Sequence, residues 1–208
     1  KELSLRINML GEFSIAYGGK TIDDQANRSK KLWTLLEYLI TFRMRDVSQN
    51  ELIELLWGED DIDNPANALK TLLHRVRATI AELGITDIKK LISYRRGAYK
   101  WNTDFPCQID TEFFEDMMHR AYASCRAREE KSDCLLKAAA AYKGDFLPKS
   151  ALDAWAVPIN TYYHSQYLKL VGDLCDILKE EERYEEIVAL CQKAVVIDPY
   201  EEPLHLNL

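Results

Sequence analysis

Leu3-Ser4-Leu5-Arg6-Ile7-Asn8-Met9 alternates apolar and polar residues at period two, Gly11 interrupts, and Phe13-Ser14-Ile15-Ala16-Tyr17 resumes the alternation before a Gly18-Gly19 turn. Alternation of this kind marks half-buried strands, so the chain opens with a small antiparallel sheet. At Lys31 the period changes: Leu32, Leu35, Leu36, Leu39 and Ile40 recur at i, i+3, i+4, which predicts a helix from about Ser29 to Phe42. Ser48 as N-cap with Glu51 three residues on makes a capping box for a second, short helix ending at Trp57-Gly58, its buried face Leu52, Ile53, Leu55 and Leu56. The acidic stretch Glu59-Asp60-Asp61-Ile62-Asp63 reads as a loop. A third helix starts at Asn64 with Pro65 in its first position and stops at Gly84. Its apolar residues Leu69, Leu72, Leu73, Val76, Ile80 and Leu83 fall within a wedge of about 100°. The opposite face presents Asn67, Lys70, Thr71, His74, Arg75 and Ala78, with Arg77 on its flank. Leu91-Ile92-Ser93-Tyr94 and Ala98-Tyr99-Lys100-Trp101 then flank Arg95-Arg96-Gly97, the form of a β-hairpin with two arginines at its tip.

Beyond Asp110 the strand signals stop. Helical periodicity covers about 111–128, 132–142, 154–179 and 184–197, so the second half is all α. Asp104-Phe105-Pro106 is the natural joint, because a residue before proline is pushed out of the helical region. The division is therefore into domains 1–103 and 104–208. From about Leu168 to Glu201 the second half fits a helix-turn-helix repeat of about 34 residues, with Leu174, Tyr184, Ala194 and Asp198-Pro199 at its marker positions. The stretch Ala139-Ala140-Ala141-Tyr142-Lys143-Gly144-Asp145 reads as a degenerate earlier copy, and since about three repeats are needed to bury a solenoid core, further helices are expected after Leu208. The fold class is mainly α with a small β component.

The 208 residues are 47% apolar and 29% charged with only 8 Gly and 6 Pro, which excludes collagen-like and disordered classes. No run reaches the ~18 uninterrupted apolar residues of a membrane span, and the first residues lack the layout of a signal peptide, so a cytoplasmic protein without membrane contact is expected. Cys107, Cys125, Cys134, Cys175 and Cys191 are odd in number and contain no C-x-x-C pair, which argues for buried apolar thiols over disulfides or zinc. His74, His119, His164 and His205 form no H-x-x-x-H pair. With no nucleophile-base pair and no G-x-x-x-x-G-K-[ST] loop, the sequence points to no enzyme, no cofactor and no metal.

The net charge of −7 conceals an asymmetry: 1–103 carry +2 and 104–208 carry −9. Within the first half, 64–100 hold +6, whereas 46–63 hold seven acids and no base. The order strand, strand, three helices, hairpin is that of a winged helix-turn-helix, in which the third helix enters the major groove and the hairpin reaches adjacent phosphate or minor groove. Basic residues are concentrated on the outward side of that helix and acids are kept out of it. The expected DNA-binding residues are Asn67, Lys70, Thr71, His74, Arg75 and Arg77 on the helix and Arg95 and Arg96 in the wing, the last two on phosphate.

Leu10-Gly11-Glu12-Phe13-Ser14-Ile15, Leu35-Leu36-Glu37-Tyr38-Leu39, Glu51-Leu52-Ile53-Glu54-Leu55-Leu56-Trp57 and Arg75-Val76-Arg77 resemble the OmpR-type winged helix of the antibiotic regulatory protein (SARP) family. Ile109-Asp110-Thr111-Glu112-Phe113, Tyr142-Lys143-Gly144-Asp145-Phe146-Leu147, Trp155 and Asp198-Pro199-Tyr200-Glu201-Glu202-Pro203-Leu204-His205 resemble the TPR-like bacterial transcriptional activator domain that follows it. The resemblance implies a sequence-specific regulator, usually an activator, that binds direct repeats of double-stranded DNA near a promoter, as a homodimer at least on DNA, and recruits RNA polymerase. By position, Trp57 to Asn64 would face polymerase, making Glu59, Asp60, Asp61 and Asp63 contact candidates; a solvated, helix-capping loop is the equal alternative. The third helix departs from the family in lacking a longer basic run after Arg77, where Ala78-Thr79-Ile80-Ala81 follow. Tyr162, Tyr163 and Tyr167 are read as repeat core before aromatic interface. The alternative function is a TPR-like protein-interaction scaffold whose winged helix binds protein instead of DNA.

Overall fold

The structure, a computed structural model, describes residues 4–25, 29–58, 60, 62–85, 88–124 and 127–199. Its contacts divide the chain into two units, one from 1–7 and 14–108, the other from 8–13 and 109–208.

In the first unit, β1 (Leu5–Asn8), β2 (Ser14–Tyr17), β3 (Lys20–Asp23) and β7 (Cys107–Ile109) form a sheet in the order β3-β2-β1-β7. β2 and β3 are an antiparallel pair turning at Gly18 and Gly19, both at positive φ (57° and 84°), the backbone that a two-residue hairpin requires and glycine adopts without strain. α1 (Lys30–Thr41), α2 (Gln49–Trp57) and α3 (Pro65–Ala81) pack on one another, and the short α4 (Ile88–Leu91) leads into the hairpin of β5 (Ile92–Arg95) and β6 (Ala98–Trp101). Two residues before α2, β4 (Val47–Ser48), join this hairpin as a third strand in the order β4-β6-β5. The sequence pattern marks neither β3, β4, α4 nor β7: β4 and β7, of two and three residues, are too short to show a period and form by joining strands distant in sequence, β6 and β1.

The three helices form where the periodicity places them. The five periodic residues of α1 are at most 1% exposed, and all six of α3 and its end are at most 5% exposed. Asn64 Oδ1 accepts from the Asn67 amide and Gly84 takes φ 86° after the last turn, so the start and stop signals act as read. The capping box at α2 is modified. Ser48 Oγ accepts the Glu51 amide at 3.1 Å, but the Glu51 carboxylate accepts from Tyr38 Oη (2.6 Å) and from the Arg45 guanidinium, tying α2 to α1 and the turn between them. Arg45 holds the Glu51 carboxyl below its usual range.

The division between units falls after Gln108, a few residues beyond the proline joint expected at 104–106, because β7 still pairs with β1. The second unit takes in Asn8–Phe13 as well. The Asp110 carboxylate accepts both the Met9 and Leu10 amides (2.8–2.9 Å), Gly11 N donates to Asp145 O, and Leu147 N donates to Met9 O, both at 2.9 Å. Met9, Leu10 and Phe13 are each 1% exposed.

Among the described residues the rest consists of the helices α5 (Asp110–His119), α6 (Arg128–Ala141), α7 (Val157–Glu180) and α8 (Tyr184–Ile197). Consecutive helices pack on each other, as the repeat reading requires. The first expected helix, 111–128, is shorter in the structure: α-helical geometry ends at His119, a π turn covers Arg120–Ser124, and a new helix starts at Arg128. The buried stripe Phe114, Met117, Met118, Ala121 ends there, and residues 122–124 and 127–130 are exposed, so no apolar face carries one helix through. α7 starts at Val157, three residues later than expected, with Pro158 in its first turn.

Aromatic rings fill this core. Tyr142 stacks on Tyr167 (centroids 4.2 Å apart, 9° between planes), and Phe114 lies 5.8 Å from Tyr142 and 6.0 Å from Tyr163. Tyr163 and Tyr167 are thus core residues, whereas Tyr162 is 49% exposed. Leu174 and Ala194 are fully buried, but Tyr184 is 60% exposed, so that repeat position does not contribute to the core. Cys134, Cys175 and Cys191 are buried, and Cys175 and Cys191 face each other with sulfurs 3.6 Å apart between α7 and α8; burial pushes the Cys175 thiol up to about 12. Cys125 and His205 lie outside the described residues.

Candidate nucleic-acid interface

α3 presents two chemically distinct faces. Its apolar wedge is buried against α1 and α2, and on the other side Asn67, Lys70, Thr71, His74, Arg75 and Ala78 are all exposed. Helix geometry forces this segregation: once six residues within about 100° are buried, the side chains opposite them must face water. The start of the helix is fixed by Asn64 and Pro65, and the Thr71 hydroxyl donates to the Asn67 carbonyl at 3.0 Å. Among the described residues none of Lys70, Arg75, Arg95 and Arg96 is held in an ion pair, so their charge is offered to solvent, and the His74 side chain is exposed beside them.

The hairpin closes as a two-residue turn. Arg96 has φ 51° and Gly97 φ 80°, and the ladder runs from Ile92 opposite Trp101 to Arg95 opposite Ala98. Arg95 and Arg96 therefore stand exposed at the tip, where two positive φ values match the right-handed strand twist. The inner end is anchored by Ile92 and Trp101, buried to 1% or less.

Two further residues, not evident in the sequence, tie the hairpin to α2. Gln49 N donates to Gly97 O at 2.9 Å, and Tyr94 Oη donates to Gln49 Oε1 at 3.3 Å while its ring packs 4.6 Å from Tyr99. Tyr94 is 47% exposed beside the two arginines. Gln49 and Tyr94 are 45 residues apart and only folding brings them together; the one sequence sign is an aromatic residue next to the basic tip.

Arg77 does not join the exposed set. It is half-buried, and its Nη2 donates to the Ile92 carbonyl at 2.7 Å. At the acidic loop, Asp60 pairs with Lys31, whose ammonium also lies 5.3 Å from the Trp57 ring centre, and Asp63 is exposed. The Asp60–Lys31 pair is a structural use of one of the four acids; Glu59 and Asp61 lie outside the described residues. Among the described residues there is no cluster of His, Cys, Asp and Glu able to hold a metal ion, and no helix is long and apolar enough to cross a membrane.

Residues 23–100 match the family described as transcriptional regulatory protein, C terminal, and residues 109–208 match the bacterial transcriptional activator domain. No curated protein sequence matches the chain. A solved structure of Mycobacterium tuberculosis EmbR, in complex with a low affinity phosphopeptide, superposes with a TM-score of 0.76 at 21% identity, over 100% of this chain and 54% of EmbR. At that identity the likeness is one of fold, and the chain spans about half of the EmbR length. Both matched families are those of transcriptional regulators, and their order in this chain, an OmpR-type winged helix followed by a bacterial transcriptional activator domain, is the architecture of the SARP family.

Proposed function

We propose that the chain regulates transcription by sequence-specific binding to double-stranded DNA, acting as an activator on promoter direct repeats. α3 enters the major groove, where Asn67, Lys70, Thr71, His74 and Arg75 meet base edges and phosphates, and Arg95 and Arg96 grip the backbone beside it. Arg75 is the residue suited to bidentate contact with guanine, and Asn67 to adenine. The observation that carries this reading is the shared exposure of those five residues on one side of α3, with both wing arginines exposed on the same unit. The helical unit, at −9 over 104–208, would be repelled by phosphate and serves as the partner or dimer module away from the duplex. The loop between α2 and α3 contacts RNA polymerase; exposed Asp63 favours that role, whereas the Asp60–Lys31 pair limits how much of the acidic charge is free for it.

Selection of bound sequences from a random duplex pool tests the reading. The winning sites are titrated over a salt series with the native chain and with Arg75→Ala. Enrichment of a repeated motif, with affinity falling steeply with salt and with the substitution, is expected. Equal weak binding to all sequences would refute it and leave the protein-interaction scaffold.

A further inference from the structure

Arg77 is the one basic side chain of the α3 group that turns back into the protein. Its Nη2 donates to Ile92 O at 2.7 Å, and its Nε is buried with no hydrogen-bond partner. Ile92 is the first residue of β5, fully buried, and β5 is the edge strand of the sheet β4-β6-β5. An edge strand has carbonyls pointing away from its neighbour with no ladder partner, and the guanidinium supplies a charged donor at one of them. The other side of the hairpin is held independently, through Gln49 to Gly97 and Tyr94. The wing is thus tied to α2 near its tip and to α3 near its base.

We propose that Arg77 is a positioning residue for DNA binding: through Ile92 it sets the position of the wing relative to the exposed face of α3, so that Arg75 on the helix and Arg95 and Arg96 on the wing reach one duplex together. This rests on the DNA-binding reading above. The lever makes the position matter. Arg95 is three residues beyond Ile92, about 10 Å along a strand, so a tilt of about 10° at the base moves the tip by about 2 Å. That is enough to break a hydrogen bond to phosphate. A guanidinium with one arm on Ile92 O and a buried Nε is poorly placed to be a phosphate ligand as well, and the loss of Arg77 should act through the wing.

A double-mutant cycle on the full chain distinguishes the two roles. Arg77→Met, the Arg95→Ala/Arg96→Ala wing variant and the triple variant are titrated with the selected duplex over a salt series, with thermal melts as a check of folding. The expected result is that Arg77→Met weakens binding about tenfold in the native background but less than about twofold once the wing arginines are gone. It should leave the salt slope of the wing-deficient protein unchanged. If Arg77→Met costs the same factor in both backgrounds and lowers the salt slope by about one in each, Arg77 contacts phosphate directly and the proposal is overturned while the DNA-binding reading stands. If the native chain selects no duplex at all, both are overturned. Should Arg77→Met not fold, Arg77→Lys passes through the same cycle under the same criterion.

Discussion

Replacing Asp110 with alanine tests the finding that Asn8–Phe13, although it lies between two strands of the first unit, is part of the second. The Asp110 carboxylate accepts from Met9 N at 2.8 and 2.9 Å and from Leu10 N at 2.9 Å, at the first position of α5. Alanine leaves two amide donors without a partner beside side chains that are 1% exposed. A buried donor deprived of its acceptor costs about 1–3 kcal/mol, and hydrogen bonds to a charged group lie toward the upper end. Loss of a carboxylate at a helix N-terminus adds about 0.5 kcal/mol. Over two donors these terms add to about 2.5–6.5 kcal/mol, and the burial that raises the Asp110 pKa cancels part of the gain, leaving about 3–5 kcal/mol, a large part of the stability of a domain of this size. A control on the same helix, Asp116→Ala, removes an exposed acid paired with exposed Arg120 and should cost under about 0.5 kcal/mol. Amide hydrogen exchange is the decisive assay. In Asp110→Ala the Met9, Leu10 and Gly11 amides should exchange faster by about two orders of magnitude or more, since every 1.4 kcal/mol is tenfold, and the denaturant midpoint of the helical unit should fall. Unchanged protection at those three amides, with a stability loss below about 1 kcal/mol, would refute the assignment of the segment.

Two other outcomes are expected. His164 bridges two carboxylates, Nδ1 to Asp145 (2.8 Å) and Nε2 to Asp198 (2.9 Å); partial burial works against the charged ring, but the two carboxylates outweigh it and its pKa is raised. A raised histidine pKa gives stability that is complete below the unfolded value of about 6.5 and lost as pH rises through the folded one. The Tm advantage of native protein over His164→Gln should therefore be largest near pH 6 and shrink as pH rises; an advantage that grows with pH would contradict the bridge. Neutralising Glu59, Asp60, Asp61 and Asp63 to their amides should lower activated transcription in a reconstituted system while leaving operator affinity intact, and loss of DNA binding in the same variant would remove the polymerase-contact reading.

What the sequence by itself determined is what is local. α3 was legible in full: Asn64 and Pro65 start it, Gly84 follows it, and six apolar residues at helical spacing fix which side is buried and hence which residues face water. The hairpin was legible for the same reason, since alternation marks its strands and Arg96-Gly97 supplies the positive φ its turn needs. Burial of a stripe depends on chain geometry over one or two turns, and every folded state must respect it. Tertiary structure decided what depends on meetings across the chain. Periodicity places Arg75 opposite the apolar wedge and Arg77 on the flank of that face, but only the approach of β5 turns Arg77 to Ile92 O and leaves Arg75 in solvent. Glu51 has the spacing of a capping box after Ser48, yet its carboxylate is drawn to Tyr38 and Arg45 by the packing of α1 against α2. Met9 closes an alternating run like any strand residue, but Asp110, about a hundred residues away, fixes the unit that it and Leu10 belong to. A long flexible side chain or an unpaired amide takes the partner that folding brings within 3 Å, and periodicity carries no record of that encounter.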